Sequence, residues 1–458
     1  MELTILHTND IHSNYENFSK VVNKIRELRD QNTLLLDAGD FADFKRIELL
    51  GTDGLAALDL LEYAGYDAIC VGNNETFRGR ETLSRMATRS LVPFLSCNLY
   101  SFGFTEIEGV KKSIIVNKNG LKILIIGVSP DLGVFYSLNN LETKDYMSEI
   151  KEEIWLNMGQ FDLCVVLSHM GLNHDKKIAE EIDDVDIIIG GHLHILMDSP
   201  EIINNKIIYT SGCFGENVGL LKIRVRNRRA RLLEAKNISI QDSDFNNDVI
   251  NILKINKEKA LDKLGTPLYN IDADLWHDII EENPITNLLA DALADIFQCD
   301  LGIINSGVLN CGVRRGVVSE KKLLDICPSP LNPTCFEIQG RYIREALENS
   351  LDSDFCLQDG KGPGFRGKNL GRLHVSNAVI EHDGRRIIAI YINDEELVDD
   401  KWYTVASSDY LQRGTGYTSF ENNRNETYNK EFLRDTLREY MWRREFVERA
   451  FYDRWILK

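Results

Sequence analysis

Five short polar clusters in the first half of the chain carry residue types that bind metal ions. They are Thr8-Asn9-Asp10-Ile11-His12, Asp37-Ala38-Gly39-Asp40, Gly72-Asn73-Asn74-Glu75, Ser168-His169-Met170-Gly171 and Gly190-Gly191-His192-Leu193-His194. Each follows an apolar run of strand length. In open α/β sheets, functional groups collect at the carboxyl ends of strands, so five such clusters would meet in space. Asp10, His12, Asp40, Asn73, His169, His192 and His194 together form a mixed nitrogen and oxygen donor set. That is too many groups for one tetrahedral ion, and it suits two divalent ions with a bridging carboxylate. Glycines beside Asp40, Asn73 and His192 permit tight turns. In an extended segment, Asp-x-His and His-x-His each present both side chains on one side. Two ions roughly 3.5–4 Å apart clamp an in-line displacement at phosphorus and generate a hydroxide near neutral pH. A single Asp-x-His or Gly-Asn-Asn reads as a turn; the ordered set of five carries the chemistry.

Charge makes the same demand. The chain has 71 acidic and 53 basic residues, a formal net charge of −18, which argues against a nucleic-acid partner. An acidic protein that handles anionic substrates needs a local positive centre, and metal ions supply one. No run approaches the roughly 20 apolar residues of a membrane span. The opening residues show no secretory signal, and the nine cysteines are odd in number without a CxxC pair. The expectation is a reduced, cytoplasmic protein that binds a small phosphorylated metabolite and no membrane.

The elements that must position the clusters alternate. Strand-like runs at 3–6, 33–36, 68–71, Leu121–Val128, 163–167 and 185–189 are interleaved with helical patterns at 17–29 and Leu55–Ala64. Later strands are read at 207–210 and 218–225, with a basic turn at 227–231. This is the pattern of an α/β layered sandwich. The reading divides the chain into a dimetal domain at 1–238, a linker helix at 239–265 and a second α/β domain at 266–458. The second half is read as helices at 285–297, 340–350 and 431–442 and strands at 301–304, 373–379, Ile387–Ile392 and 402–407. The charged stretch 434–458 is read as an amphipathic helix packing its aromatic face.

The sequence resembles the two-domain 5′-nucleotidase family of metallophosphoesterases. The five clusters look like its metal boxes. Asn283-Pro284-Ile285-Thr286-Asn287-Leu288-Leu289-Ala290-Asp291-Ala292 resembles the helix that opens its second domain. Ile303-Ile304-Asn305-Ser306-Gly307, Ser407-Ser408-Asp409-Tyr410 and Gly414-Thr415-Gly416-Tyr417 resemble its substrate loops. The resemblance implies a four-layer α/β/β/α sandwich followed by an α/β substrate domain. It also implies two divalent ions, of Mn, Zn, Fe, Co or Mg. Asp10, His12 and His194 would hold the first, Asn73, His169 and His192 the second, and Asp40 would bridge them. His7 matches a non-ligand position and is read as structural.

The chain also departs from the family. The third metal box of the family reads Gly-Asn-His-Glu with an Asp following, a His–Asp pair that stabilises phosphoryl charge. Here those two positions hold Asn74 and Phe77. Asn74 could donate an amide hydrogen bond to an oxyanion but not a proton, and losing a general acid costs about 10²–10⁴-fold. A cytoplasmic Gram-positive-like branch of the family also carries Asn-Asn there. Asp40 and Asn74 are the catalytic candidates, and Asn305, Phe365, Arg372, Tyr410 and Tyr417 the substrate-binding ones. The arginine expected after Asn305 falls on Asn310, near Arg314 and Arg315. The family's late Gly-Asp-Gly is Gly414-Thr415-Gly416. The Gly-rich stretch from Gly360 to Gly367 offers Lys361, Arg366 and the following Lys368 to an anion. The leading expectation is a dimetal phosphoester hydrolase acting on nucleotides or related metabolites. One alternative is a pyrophosphatase or phosphodiesterase acting on nucleotide sugars or dinucleotides. The other is a catalytically weak pseudoenzyme that binds metal and nucleotide.

Overall fold

The computed structural model describes residues 1–226, 229–362 and 364–458. The chain divides into two compact units, Met1–Lys263 and Leu264–Lys458.

The first unit is built on two sheets. One has seven strands in the spatial order Arg229–Ser239, Asn217–Arg226, Glu2–Thr8, Thr33–Asp37, Ala68–Cys70, Phe94–Leu95, Val110–Lys111. The other has six, in the order Glu201–Ile203, Lys206–Tyr209, Ile187–Gly190, Leu163–Ser168, Leu121–Val128, Ser113–Lys118. Strand side chains alternate between faces, and the sequence uses both faces. Leu3, Ile5, Leu34 and Leu36 join a core with Ile123, Ile125, Val165 and Ile187 of the facing sheet. Leu6 and Leu35 point the other way, into a core with Phe18, Val22 and Leu60 from the helices Tyr15–Leu28 and Leu55–Ala64. On the outer side of the second sheet, Ile150 and Ile178 seal it from the helices Tyr146–Leu156 and Leu172–Glu181. The result is the four-layer α/β/β/α arrangement.

The helix read as a linker is shorter than 239–265 and belongs to the first unit. The strand Arg229–Ser239 runs to Ser239, and the helix spans Asn247–Leu264. Its Val249 and Leu253 enter the helical core, Asn256 donates to Asp59 (2.8 Å), and Lys263 pairs with Asp53 (2.7 Å). Of the basic turn read at 227–231, residues 227 and 228 lie outside the described residues, and Arg229 already begins a strand.

The second unit holds a mixed five-stranded sheet in the order Leu373–Ser376, Leu301–Asn305, Trp402–Ser408, Pro333–Gln339, Asn423–Tyr428. The helix Pro284–Phe297 packs on it. Asn283 caps that helix, its side chain accepting from Thr286 N, and Pro284 sits in the first turn. The strand read at 373–379 breaks at Asn377, whose φ of 59° is left-handed, a conformation asparagine tolerates. Past it, Ala378–His382 joins a different, four-stranded sheet. The terminal amphipathic helix is also revised. It is two short helices, Leu433–Tyr440 and Arg444–Arg449, followed by a strand, Trp455–Leu457, paired parallel to Ala378–His382. No helix among the described residues is long and apolar enough to cross a membrane.

Candidate metal centre

The polar clusters lie at strand ends, and backbone hydrogen bonds lace their loops together. Ala38 N donates to Thr8 O, Asp10 N to Gly39 O and His12 N to Asp40 O, so the first two loops leave their strands side by side. His169 N donates to Val128 O and Gly191 N to Ser168 O. Glycine is required where these loops touch. A Cβ on Gly72 would sit 2.3 Å from Asp40 Oδ1, and one on Gly39, at φ 97°, would sit 2.7 Å from His169 Nδ1.

The donor atoms converge. Asp10, His12 and His194 form one group within 4.8 Å of one another, and Asp10, Asp40 and His169 form a second. Asp40 Oδ2 lies 3.2 Å from His169 Nε2 and 3.6 Å from His12 Nε2, so its carboxylate reaches both groups. His192 Nδ1 and Asn73 Oδ1 meet at 3.0 Å. Asp10, Asp40 and His169 are buried, whereas Leu193 and His194 are exposed, giving a closed floor and an open rim.

These donor groups fit a divalent metal ion. His169 is fully buried, and its Nδ1 faces Ala38 O at 2.7 Å. That contact places a proton on Nδ1 and aims Nε2 at the Asp40 carboxylate, 3.2 Å away. His12 Nε2 and His194 Nε2 face each other at 2.9 Å, one ring nitrogen donating its N–H to the lone pair of the other. The electrostatics are those of a cation site. Burial opposes charge on His169, but Asp40 and Asp10 outweigh it and push its pKa up to about 10. Burial likewise opposes charge on Asp40, yet the His169 and His12 rings hold it below the usual carboxylate range. Burial pushes His12 and His192 down, towards the neutral form that ligates metals.

Two expectations change at this point. The clusters are not extended segments. Asp10, His12, Asp40, His192 and His194 all have positive φ, between 47° and 76°. Side chains are aimed inward by left-handed turns and not by strand alternation. Asn74 does not offer a free amide: its Nδ2 donates to Asp40 Oδ2 at 2.6 Å and faces His12 Nδ1 at 3.3 Å, and its backbone N–H donates to Asp40 Oδ1 at 2.8 Å. Phe77 is exposed. His7 is buried in its strand, with burial pushing its pKa down to about 3.

Two supporting residues escaped the sequence reading although they stand inside the quoted clusters. Asn9 donates to Asp10 Oδ2 (2.8 Å) and Gly212 O (2.6 Å), and accepts from Ser211 N (2.9 Å) and Ser211 Oγ (2.7 Å). Glu75 accepts from the backbone N–H groups of Asp40, Ala42 and Gly72, tying together the loops of Asp40 and Asn73. Their partners lie far away in sequence, and no local signal marks the roles.

The substrate-binding candidates lie in the second unit, mostly in its core. Phe365 and Tyr410 stack on each other, with centroids 4.7 Å apart and planes at 24°. No planar ring fits between them. Tyr417 is buried and its hydroxyl donates to Gly371 O (2.8 Å), while Asn305 Nδ2 donates to Leu370 O (2.5 Å). Arg372 is partly buried beneath Trp455. In the Gly-rich stretch, Pro363 lies outside the described residues, and Lys361, Arg366 and Lys368 are exposed.

Residues 3–196 match the calcineurin-like phosphoesterase family, and residues 261–422 match the 5′-nucleotidase C-terminal domain. The metallophosphoesterase YunD of Bacillus subtilis (strain 168), itself uncharacterized, is 29% identical over 454 residues, covering 95% of this chain and 98% of that protein. The 5′-nucleotidase of Diplobatis ommata is 24% identical over 506 residues, covering 92% of this chain and 84% of that protein. Among solved structures, the NAD nucleotidase of Haemophilus influenzae superposes with a TM-score of 0.68 at 17% identity, covering 100% of this chain and 99% of that one. A putative 5′-nucleotidase from Staphylococcus aureus, solved with alpha-ketoglutarate, gives 0.58 at 16% identity, covering 97% and 98%. Those two structures share the fold. With both family matches in chain order, and with relatives aligned along nearly the whole length, this chain belongs to the two-domain metallophosphoesterase and 5′-nucleotidase family of phosphoester hydrolases.

Proposed function

We propose that this chain hydrolyses a phosphoester bond of a nucleotide or another small phosphorylated metabolite. Two divalent ions, held by Asp10, His12, Asp40, Asn73, His169, His192 and His194, would serve it. The observation that carries the reading is the convergence of buried donor atoms, with Nε2 of His169 aimed at the Asp10 and Asp40 carboxylates. Such ions supply Lewis-acid polarisation of a phosphoryl oxygen and lower the pKa of an attacking water. The chain's own residues prepare the floor. Asn9 fixes the rotamer of Asp10, Ala38 O sets the tautomer of His169, Glu75 holds the Asp40 and Asn73 loops together, and Asn74 clamps Asp40. The exposed His194 side admits substrate.

Asn74 favours a particular bond. Its amide is engaged with Asp40, and no imidazole stands at its position to protonate a leaving group. Bonds whose leaving groups depart unprotonated, such as pyrophosphate linkages and aryl esters, suit this site better than plain monoesters. That supports a second reading as a pyrophosphatase or phosphodiesterase. The stacked Phe365 and Tyr410 leave no slot between them for a nucleobase, so recognition would rest on other parts of the substrate.

A steady-state screen with Mn²⁺ tests both readings. It compares nucleoside monophosphates, nucleotide sugars, dinucleotides and a p-nitrophenyl phosphodiester, with Asp40→Ala as control. Turnover that disappears in Asp40→Ala supports hydrolysis, and the fastest substrate names the bond. A fastest rate on plain nucleoside monophosphates would overturn the leaving-group argument. Absence of turnover with every substrate would overturn the proposal and favour a metal- and nucleotide-binding pseudoenzyme.

A further inference from the structure

Phe214 stands against two of the candidate ligands. The ring centroids of His12 and His194 lie 4.9 Å apart, and the Phe214 ring closes a triangle with them at 5.7 and 5.5 Å. Its plane meets that of His194 at 72°, an edge-to-face arrangement that attracts rings to each other. His12 Nε2 and His194 Nε2 are 2.9 Å apart, and they lie 3.8 and 3.5 Å from Asp10 Oδ1. Those three side chains make up one of the two donor groups. Ligand imidazoles are ordinarily oriented through their second nitrogen, as Ala38 O does for His169 Nδ1. For His194 Nδ1 the described residues supply no such hydrogen bond, and the contacts with His12 and Phe214 take its place.

The ring is kept there against the preference of its own backbone. Phe214 has a φ of 56°, a left-handed torsion in which a bulky residue is an outlier. Glycine adopts it freely, and glycines stand two residues before and one after, with φ of 82° at Gly212 and 65° at Gly215. The loop is locked on both sides. Phe214 N donates to Asp10 O (2.7 Å), and Phe214 O accepts from Asn17 Nδ2 (3.0 Å). It therefore hangs on the backbone of Asp10, whose carboxylate completes the donor group. A strained torsion held in place by its surroundings points to a task for the side chain it carries.

We propose that Phe214 is a positioning residue of the site formed by Asp10, His12 and His194. Its ring braces the two imidazoles so that both Nε2 atoms stand beside the Asp10 carboxylate before an ion arrives. Phe214 supplies no donor atom; it acts through the two histidines. This deepens the function proposed above and rests on it for the identity of the occupant as a divalent ion. It adds that affinity at this one site depends on an apolar ring, whereas His169 is oriented by a backbone carbonyl and does not depend on it.

The test uses the full-length chain stripped of metal with a chelator and titrated calorimetrically with Mn²⁺. His194→Ala identifies the binding step that belongs to this site by removing it. Phe214→Leu keeps apolar bulk but loses the ring, and should weaken that step at least about tenfold, the loss typical of residues that orient ligands; Phe214→Tyr keeps the ring and should restore it. In His194→Ala, adding Phe214→Leu should leave the remaining Mn²⁺ binding unchanged, whereas a merely structural role would weaken every step alike. A second readout needs no metal. In the metal-free chain labelled with ¹⁵N-histidine, the N–H···N bond between His12 and His194 should give a downfield proton signal in wild type and Phe214→Tyr and lose it in Phe214→Leu. If Phe214→Leu does not fold, Phe214→Gly removes the ring while relaxing the backbone, and should show the same selective loss. Equal affinity in wild type and Phe214→Leu, uniform weakening of all Mn²⁺ binding, or a His194→Ala variant that binds as wild type does would overturn this inference alone. A wild-type chain that binds no Mn²⁺ would overturn the proposed function and this inference together.

Discussion

Asn9 offers the sharpest link between packing and metal binding. In Asn9→Ala, the side chain that satisfies Ser211 N and Gly212 O disappears, while Ser211 Oγ can rotate to another acceptor. Each buried backbone group left without a partner costs about 1–3 kcal/mol, so the variant should lose about 2–6 kcal/mol. Asp10 keeps the backbone N–H of His192, which donates to both its oxygens at 3.1 and 3.0 Å. Its orientation is weakened but not lost, so Mn²⁺ affinity should fall by about tenfold, the lower end for such supporting residues. Asn9→Asp separates the two effects. Its carboxylate still accepts from Ser211, but it faces Asp10 across the 2.8 Å now bridged by an N–H. At an effective dielectric of about 20, two charges at that distance repel by about 6 kcal/mol before relaxation. A cation beside Asp10 offsets that repulsion. Thermal unfolding with chelator and with Mn²⁺ therefore gives a signature: the metal-induced rise in midpoint should be larger in Asn9→Asp than in wild type. An equal or smaller rise, or an Asn9→Ala variant as stable as wild type, would refute the reasoning.

Three further outcomes are expected. Gly72→Ala puts a Cβ 2.3 Å from Asp40 Oδ1 and 2.5 Å from Asp40 N, so turnover should drop by about 10²-fold with the fold retained, seen as unchanged circular dichroism and a weaker Mn²⁺ titration. Asn74→His combined with Phe77→Asp should raise the rate on a plain nucleotide relative to a p-nitrophenyl ester at least about tenfold, and an unchanged ratio would contradict the leaving-group argument. Asp186 is pushed up to about 6 by burial, although its carboxylate accepts from Cys164 N. Because its folded pKa exceeds its unfolded one, its contribution is fully present below about pH 4 and is lost as pH rises through about 6. Asp186→Asn should flatten that loss, at most about 3 kcal/mol, in urea unfolding measured from pH 4 to 8.

The sequence made the strand ends legible because each polar cluster follows an unbroken apolar run, and buried strands are hard to write any other way. Leu121–Val128, Ile387–Ile392 and Leu55–Ala64 fall where the pattern puts them. What stayed hidden has a common cause in long-range or backbone detail. Nothing local to Asn9 reveals Ser211 and Gly212 as its partners. Left-handed torsions at Asp10 and His194 are set by the loops they meet, and propensity alone points elsewhere. The helix Asn247–Leu264 reads as a linker because it sits in a polar stretch between two α/β patterns, yet Val249 and Leu253 dock it on the first unit. Phe365 and Tyr410 read as substrate-binding aromatics; that they stack on each other depends on long-range packing that neither position reveals locally.

The left-handed turns at the metal centre bear on how such a protein evolves. Five residues with side chains hold torsions that glycine adopts freely, at about 1–2 kcal/mol each. Selection for folding alone would drift towards glycine or asparagine at every one of them. As Asp and His they cost stability, which the proposed metal site would explain. A directed-evolution experiment that rewards thermostability without activity should therefore erode this loop cluster first, before it touches the hydrophobic layers beneath.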